Sequence, residues 1–313
     1  MHSRSTPTLH RGFADFLLLR WLTGRRFVIG VPYLWLAICF LVPFLIVLKI
    51  SLTEMENAGN PFGNLLSYAD GFITIKIKLS NYLFIIQDDL YLLTYISSLK
   101  YAAITTALCL LIGYPFAYFM ARAKATIRPT LMMLVMLPFW TSFLLRIYAW
   151  KEILATNGLL NDLLLSLGLI QTPFQMLHTP FSLVIGMVYA YLPFMILPLY
   201  ANLVKMDLRF LEAAADLGAT PWQTFWLVTV PLSRSGIIAG AMLVFIPCVG
   251  EFVIPELLGG PSTLMIGRVL WDEFFTNNDW PMAASVTVVV ILLILVPMAV
   301  FNKYQAQQSA GQA

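Results

Sequence analysis

One stretch reads Lys205-Met206-Asp207-Leu208-Arg209-Phe210-Leu211-Glu212-Ala213-Ala214-Ala215-Asp216-Leu217-Gly218-Ala219-Thr220-Pro221-Trp222-Gln223-Thr224-Phe225-Trp226, and continues through Val230-Pro231-Leu232 to Arg234. Apolar and helix-forming residues crowd a segment whose charges require it to leave a bilayer. It reads as two helices. Asp207 can cap the first, through Leu208, Glu212 and Leu217, with Gly218 placed to end it in a left-handed turn. Thr220 opens the second, with Pro221 at its first position and Gln223 completing a capping box ahead of Trp222, Phe225 and Trp226. Pro231 closes it. From these residues alone, an amphipathic pair lying on lipid headgroups is as good a reading as a partner-binding one.

On either side of this loop the chain is apolar: 59% of residues are hydrophobic and 11% charged, against roughly a quarter charged in a soluble domain. At about 20 apolar residues per crossing, spans are expected at 27–50, 97–120, 179–204 and 280–302. Two more, 130–150 and 235–258, reach full length by including Arg146 and Glu251. The segment from Leu163 to Leu177 is short and broken by Gly168, Gln171 and Pro173, which reads as a surface helix and turn. The expected fold is all-α and integral to the membrane. About six transmembrane helices occupy 27–302, with the loop at 205–234, an N-terminal segment at 1–26 and a tail at 303–313.

Charge sets the orientation. Arg4, Arg11, Arg20, Arg25 and Arg26 precede the first span; Arg122, Lys124 and Arg128 follow the second; Lys205, Arg209 and Arg234 flank the loop; Lys303 opens the tail. With six spans all of these share one side. The other side holds Glu54, Glu56, Asp70, Asp88, Asp89, Glu152, Asp162, Asp272, Glu273 and Asp279. The positive-inside rule makes the first side, with both termini and the loop, cytoplasmic. The first apolar run is long and has no small-residue cleavage site behind it, so it reads as a retained signal anchor. Cys39, Cys109 and Cys248 lie in apolar runs and read as packed thiols. There is no Gly-Lys pair, hence no phosphate loop, and His2, His10 and His178 are scattered. No catalytic or metal-binding constellation emerges, and the formal charge of +3 does not point to nucleic acid.

The text from Glu212-Ala213-Ala214-Ala215-Asp216-Leu217-Gly218-Ala219 to Val230-Pro231-Leu232 resembles the EAA signature of permease subunits of binding-protein-dependent ATP-driven importers, of the MetI-like type I fold. That resemblance implies a coupling helix docked in a groove of a cytoplasmic ATPase through Glu212, Ala213, Ala214, Asp216, Gly218 and Ala219. ATP and magnesium would then belong to the ATPase, with no cofactor on this chain.

Glu251 and Arg146 are ionisable groups that cost about 2.5 to 3.5 kcal/mol at mid-membrane, so both should face protein or water. Each lies about 24 Å from the cytoplasmic start of its span, in the outer part. Either they form a structural ion pair, or Glu251 receives a cationic substrate near the outer gate. Trp140 and Tyr189 fall about 15 Å from the starts of their helices, near the midplane. Tyr148, Tyr191, Trp271, Asp272 and Glu273 could extend a path of cation–π faces and carboxylates outward. For any one aromatic, ordinary packing is an equal alternative.

Further text is similar to polyamine permeases, most of all the putrescine permeases of Gram-negative inner membranes. It comprises Gly250-Glu251-Phe252-Val253-Ile254-Pro255-Glu256-Leu257-Leu258-Gly259-Gly260, then Met265-Ile266-Gly267-Arg268, and Pro138-Phe139-Trp140-Thr141-Ser142 leading to Arg146-Ile147-Tyr148-Ala149-Trp150. Permeases for spermidine and other small solutes share parts of these stretches. The resemblance implies a complex with a second homologous permease, an ATPase dimer and a periplasmic polyamine-binding protein, which the outer loop from Ser51 to Thr94 would help receive. A self-contained secondary transporter is the rival class; it would need no docking loop and would usually carry an internal repeat, which is not evident here.

Overall fold

In the computed structural model the structure describes residues 25–55, 63, 66–69, 72–75 and 77–310. Arg4, Arg11, Arg20, Glu56 and Asp70, which enter the charge argument, lie outside the described residues. The first rod, α1, runs as Arg25–Leu36, a wider π-helical turn over Ala37–Leu41, and Val42–Ser51. Its apolar side chains, Tyr33, Trp35 and Phe40 among them, are exposed along nearly its whole length. Its last part, Val42–Ser51, runs against the helix Trp280–Ala310 and is tied down at the end. The Ser51 hydroxyl pairs with Tyr82 Oη at 2.7 Å, and the Ser51 carbonyl accepts Ser285 Oγ at 3.0 Å.

The loop after α1 holds the one departure from an all-helical chain among the described residues. Leu66–Ala69 and Phe72–Ile75 pair as an antiparallel hairpin, Leu66 opposite Ile75. A short helix, α2 (Ser80–Gln87), leads into α3 (Asp89–Arg122). Asp88 starts α3 by accepting the Leu90 N–H at 2.8 Å. With 34 residues α3 is about 50 Å long, well beyond the roughly 30 Å hydrocarbon core, so it projects from the bilayer.

The next segment is not the straight span expected over 130–150. Helix α4 (Arg128–Met136) tightens into a 3-10 turn over Leu137–Trp140. After Thr141 and Ser142, both extended, the chain resumes as α5 (Phe143–Leu154) and then α6 (Leu159–Ser166). The two arms of this segment meet at 85°. Pro138 explains the break, because it has no N–H for a helical bond and its own carbonyl instead accepts Thr141 Oγ1 at 2.8 Å. Fully buried Asn161 fastens the end of this arm: it donates to the carbonyls of Ala155, Thr156 and Phe174 and accepts the Phe174 N–H at 3.0 Å.

Helix α7 (Pro180–Leu203) begins with a Thr179/Ser182 capping box and continues through Pro193 and Pro198. The coupling-type loop forms α8 (Arg209–Asp216) and α9 (Pro221–Leu232), and α9 bends by 66° into α10 (Arg234–Val249). The expected span over 235–258 also breaks. Residues 250–252 separate α10 from α11 (Val253–Leu258), and α12 (Ile266–Trp271) and α13 (Trp280–Ala310) follow. Among the described residues three helices are long and apolar enough to cross a bilayer, or five if each bent pair counts as one.

The helices α3, α7 and α10 pack on one another around Cys109, Ala117, Met187, Met195, Leu199, Val244 and Cys248. Close approach is possible because Gly240 faces Met195, where a Cβ would lie 2.8 Å from the sulfur and 3.1 Å from the backbone oxygen. Cys109 and Cys248 are packed thiols as expected, but Cys39 is exposed on α1. A second core at the end far from the α8–α9 hairpin joins Ile85, Tyr91 and Tyr95 to Ile266, Val269, Met282 and Val286. It is stitched by Tyr95 Oη donating to the Val286 carbonyl at 2.9 Å and by the Ile266 N–H donating to Ser98 Oγ at 2.7 Å.

Candidate functional site

Two places concentrate the candidate residues: the α8–α9 hairpin, and the two helix breaks at the far end. The hairpin begins at Asp207, whose carboxylate accepts the Arg209 N–H at 3.0 Å and the Arg209 guanidinium at 2.7 Å. These bonds hold the Asp207 carboxyl below its ordinary pKa. Helix α8 ends at Gly218, with φ +84°. The Ala219 N–H reaches the Ala214 carbonyl at 3.0 Å and the Gly218 N–H reaches Ala215 at 2.9 Å, the paired bonds of a Schellman turn. A Cβ at Gly218 would meet nothing within 4 Å, so backbone conformation, and not space, requires glycine. The capping box forms as the sequence predicts: the Thr220 N–H donates to Gln223 Oε1 at 2.8 Å and the Gln223 N–H to Thr220 Oγ1 at 3.3 Å.

Of the six expected docking residues, Glu212, Ala213, Asp216 and Gly218 are exposed and Ala219 is half-buried. Ala214 is buried, in a helix that packs on α9. The exposed surface instead includes large apolar groups, Leu217 at 89% exposure with Phe210 and Trp222. Phe225 turns toward the bundle. Its ring meets Tyr114 edge-on at 5.4 Å and Tyr118 at 6.2 Å, both on α3. Tyr114 Oη then lies 2.8 Å from Ser233 Oγ at the bend between α9 and α10. Phe225 is legible in the sequence as an apolar residue of the second loop helix, but its partners Tyr114 and Tyr118, and the Tyr114–Ser233 pair, are not, since the contacts join distant segments.

At the far end, Glu251 sits in the gap between α10 and α11. Its carboxylate accepts a short hydrogen bond from Tyr191 Oη and also the N–H groups of Val253 at 3.0 Å and Ile254 at 3.4 Å. The ion pair considered between Arg146 and Glu251 is not formed. The Arg146 guanidinium carbon lies 5.3 Å from the ring centre of Phe139 and 5.8 Å from that of Phe143, and its Nε is buried without a hydrogen-bond partner. The 85° bend accounts for this. It redirects the chain ahead of Arg146, so rise per residue counted from Thr130 no longer gives its depth.

Rings fill the interval between the two charges. Phe139 meets Phe194 edge-on at 5.1 Å, and Phe194 lies 6.1 Å from Tyr191, which bonds Glu251. Tyr191 and Phe194 share a helix face because they are three residues apart, a spacing legible in the sequence. Tyr189 points away, being two residues and about 200° from Tyr191. It packs against Trp150 at 5.5 Å in an apolar groove with Leu108, Ile112, Val184 and Val188.

Trp140, at the end of the 3-10 turn, is 81% exposed, and Tyr148 is half-exposed with Lys151 Nζ 5.8 Å from its ring centre. Trp271 stacks face to face on Phe252 at 4.5 Å. Tyr91 Oη donates to Glu273 at 2.7 Å and Asn277 Nδ2 at 2.9 Å, so Glu273 clasps α3 to the segment after α12. Asp272 faces an open cleft of about 490 Å³ with His178, Glu256 and Arg268. There Arg268 Nε lies 2.7 Å from Glu256 Oε2 without an aligned N–H. Among the described residues no cluster of His, Cys, Asp or Glu is arranged to hold a metal.

Comparison with known proteins follows this geometry. The family model described as "Binding-protein-dependent transport system inner membrane component" matches residues 109–307, which takes in both the hairpin and the breaks. The spermidine/putrescine transport system permease protein PotB of Haemophilus influenzae is 38% identical over 284 residues, covering 91% of this chain and 94% of that protein. PotB of Escherichia coli is 40% identical over 266 residues, covering 84% and 92%. Among solved structures, the bacterial alginate ABC transporter in complex with an alginate pentasaccharide-bound periplasmic protein aligns with a TM-score of 0.60 at 17% identity, over 92% of this chain and 94% of its own. At that identity the likeness concerns the fold.

Proposed function

Because the chain belongs to the family of binding-protein-dependent transport system inner membrane components, multi-pass transport subunits and not enzymes, we propose that it forms half of the translocation pore of an ATP-driven polyamine importer, and that the amine carried is putrescine. Its working assembly is a second, similar permease beside it, two ATPase subunits that hold ATP and magnesium, and a periplasmic binding protein. Both termini and the α8–α9 hairpin lie in the cytoplasm. Six crossings are made by α1, α3, the broken α4–α6 segment, α7, α10 with α11, and α13. The ATPase seats Glu212, Ala213, Asp216, Gly218 and Ala219 together with the exposed Leu217 and Trp222. Its closure moves the hairpin, and Phe225 passes that motion to α3.

The observation that carries the substrate class is Glu251, a carboxylate presented at a helix break at the head of a row of aromatic rings. Secondary transporters place substrate at interrupted helices that expose polar groups, a break of the same kind holds Glu251 here, and an amine with an apolar stem needs an anion for its ammonium and ring faces beside it. The relatives named for spermidine and putrescine support the same class. ATP-dependent uptake of labelled putrescine tests the proposal, in vesicles containing the full complex and its binding protein, with spermidine and an amino acid as competitors. Strong uptake that spermidine does not suppress is expected. Failure to take up either polyamine, in a complex whose ATPase still responds to its binding protein, would overturn the substrate.

A further inference from the structure

The row of rings that ends at a carboxylate begins at a cation. Arg146 covers Phe139 and Phe143, its Nε has no hydrogen-bond partner, and among the described residues no carboxylate lies within ion-pair distance of it. Aromatic faces bracket it as they would a bound ammonium, so one cation seat of the row is occupied by the protein's own guanidinium. The 85° break directly ahead of it leaves Thr141 and Ser142 extended, and the arm that bears Arg146 is therefore not held by a continuous helix on that side.

We propose that Arg146 is a charge filter: a resident cation at the end of the row opposite Glu251 that penalises amines carrying more, or more distant, positive charges. The inference rests on the polyamine reading above. An amine with one ammonium at Glu251 lays its stem toward Phe194 and Phe139. A short diamine spans about one ring step and ends over Phe194, 6.1 Å beyond Tyr191. A longer triamine reaches Phe139, the ring that the guanidinium already covers, and brings a further charge against an uncompensated one. Like charges at close range in a partly solvated site repel, and the cost rises with the number of ammonium groups on the substrate. Arg146 is a specificity residue on this account, whether or not it touches the amine.

The test measures turnover by the whole complex in vesicles, with the binding protein loaded separately with putrescine or spermidine so that delivery does not set the ratio. Arg146→Gln is expected to raise the spermidine-to-putrescine ratio about fivefold, the scale of removing one unit charge from a few ångströms' range in a solvated site. Arg146→Lys, which keeps the charge, should leave the ratio near that of the wild type, and Arg146→Met serves if the glutamine variant does not assemble with its ATPase. An unchanged ratio in an assembled neutral variant overturns the filter. So does loss of assembly in both neutral variants with the lysine variant intact, which would make the charge structural. If the wild type carries neither amine, it is the polyamine reading that has failed; if it carries them and only the ratio refuses to move, the failure is that of Arg146 alone.

Discussion

Replacing Gly218 by alanine isolates the one position in the α8–α9 hairpin, the proposed docking element, where backbone conformation alone dictates the residue. The glycine holds φ +84°, and a Cβ built on it meets nothing within 4 Å, so alanine brings no clash. What it brings is the intrinsic penalty of a left-handed conformation, roughly 1–2 kcal/mol for an L-residue, or about a five- to thirtyfold shift in the local equilibrium. Helix α8 has eight residues and its end is fixed by the bonds from Ala219 to Ala214 and from Gly218 to Ala215. A helix so short has little reserve with which to absorb that cost. The docking-competent turn becomes a minor state, and apparent affinity falls by the fraction lost. Binding of the purified ATPase to the permease pair, read by titration in detergent, should therefore weaken in Gly218→Ala, by at most about five- to thirtyfold. Gly218→Asn, which tolerates the left-handed region better, should recover most of the affinity. An alanine variant that holds the ATPase as tightly as the wild type would refute the claim that the turn organises the docking surface.

Two other substitutions separate structure from transport. Glu251→Gln keeps one amide oxygen for the N–H groups of Val253 and Ile254, leaves the amide NH2 to donate to Tyr191 Oη, and removes the charge. Assembly should be unchanged and polyamine turnover should fall roughly tenfold, the worth of about 1.4 kcal/mol of lost charge interaction; full turnover would remove Glu251 from the path. Asn161→Ala strips a fully buried side chain that serves three carbonyls and one N–H. At about 1–3 kcal/mol for each buried group left unsatisfied, the solubilised complex should lose several degrees of thermal midpoint, and an unchanged midpoint would mean that water replaces the amide.

The hairpin was the most legible part of the chain, because caps act over a few residues: Thr220, Gln223, Pro221 and Gly218 fix their turns by local bonds alone. The membrane class was equally plain, since apolar content does not depend on how helices are arranged. The spans containing Pro138 and Gly250-Glu251 read as straight because hydropathy measures length and composition, not direction; the 85° bend and the break at 250–252 depend on packing that hydropathy does not register. The pairing of Arg146 with Glu251 failed for the same reason. Depth counted along a helix holds only while the helix continues. The ring row was half visible, as Tyr191 and Phe194 at helical spacing, but its third member, Phe139, comes from the other side of a break. The Leu66–Ile75 hairpin carried no signal that was recognised.

The contact of Phe225 with Tyr114 and Tyr118 makes the hairpin's attachment to α3 a friction joint and not a weld. Two edge-on ring pairs at about 0.5–1.5 kcal/mol each, with one hydroxyl bond of about 1 kcal/mol at Ser233, hold only up to a modest load. In the proposed importer the motion that the hairpin can pass to α3 through this joint is bounded by the few kcal/mol these contacts supply. Such a joint acts as a torque limiter, and its slip point is set by the size of one aromatic side chain.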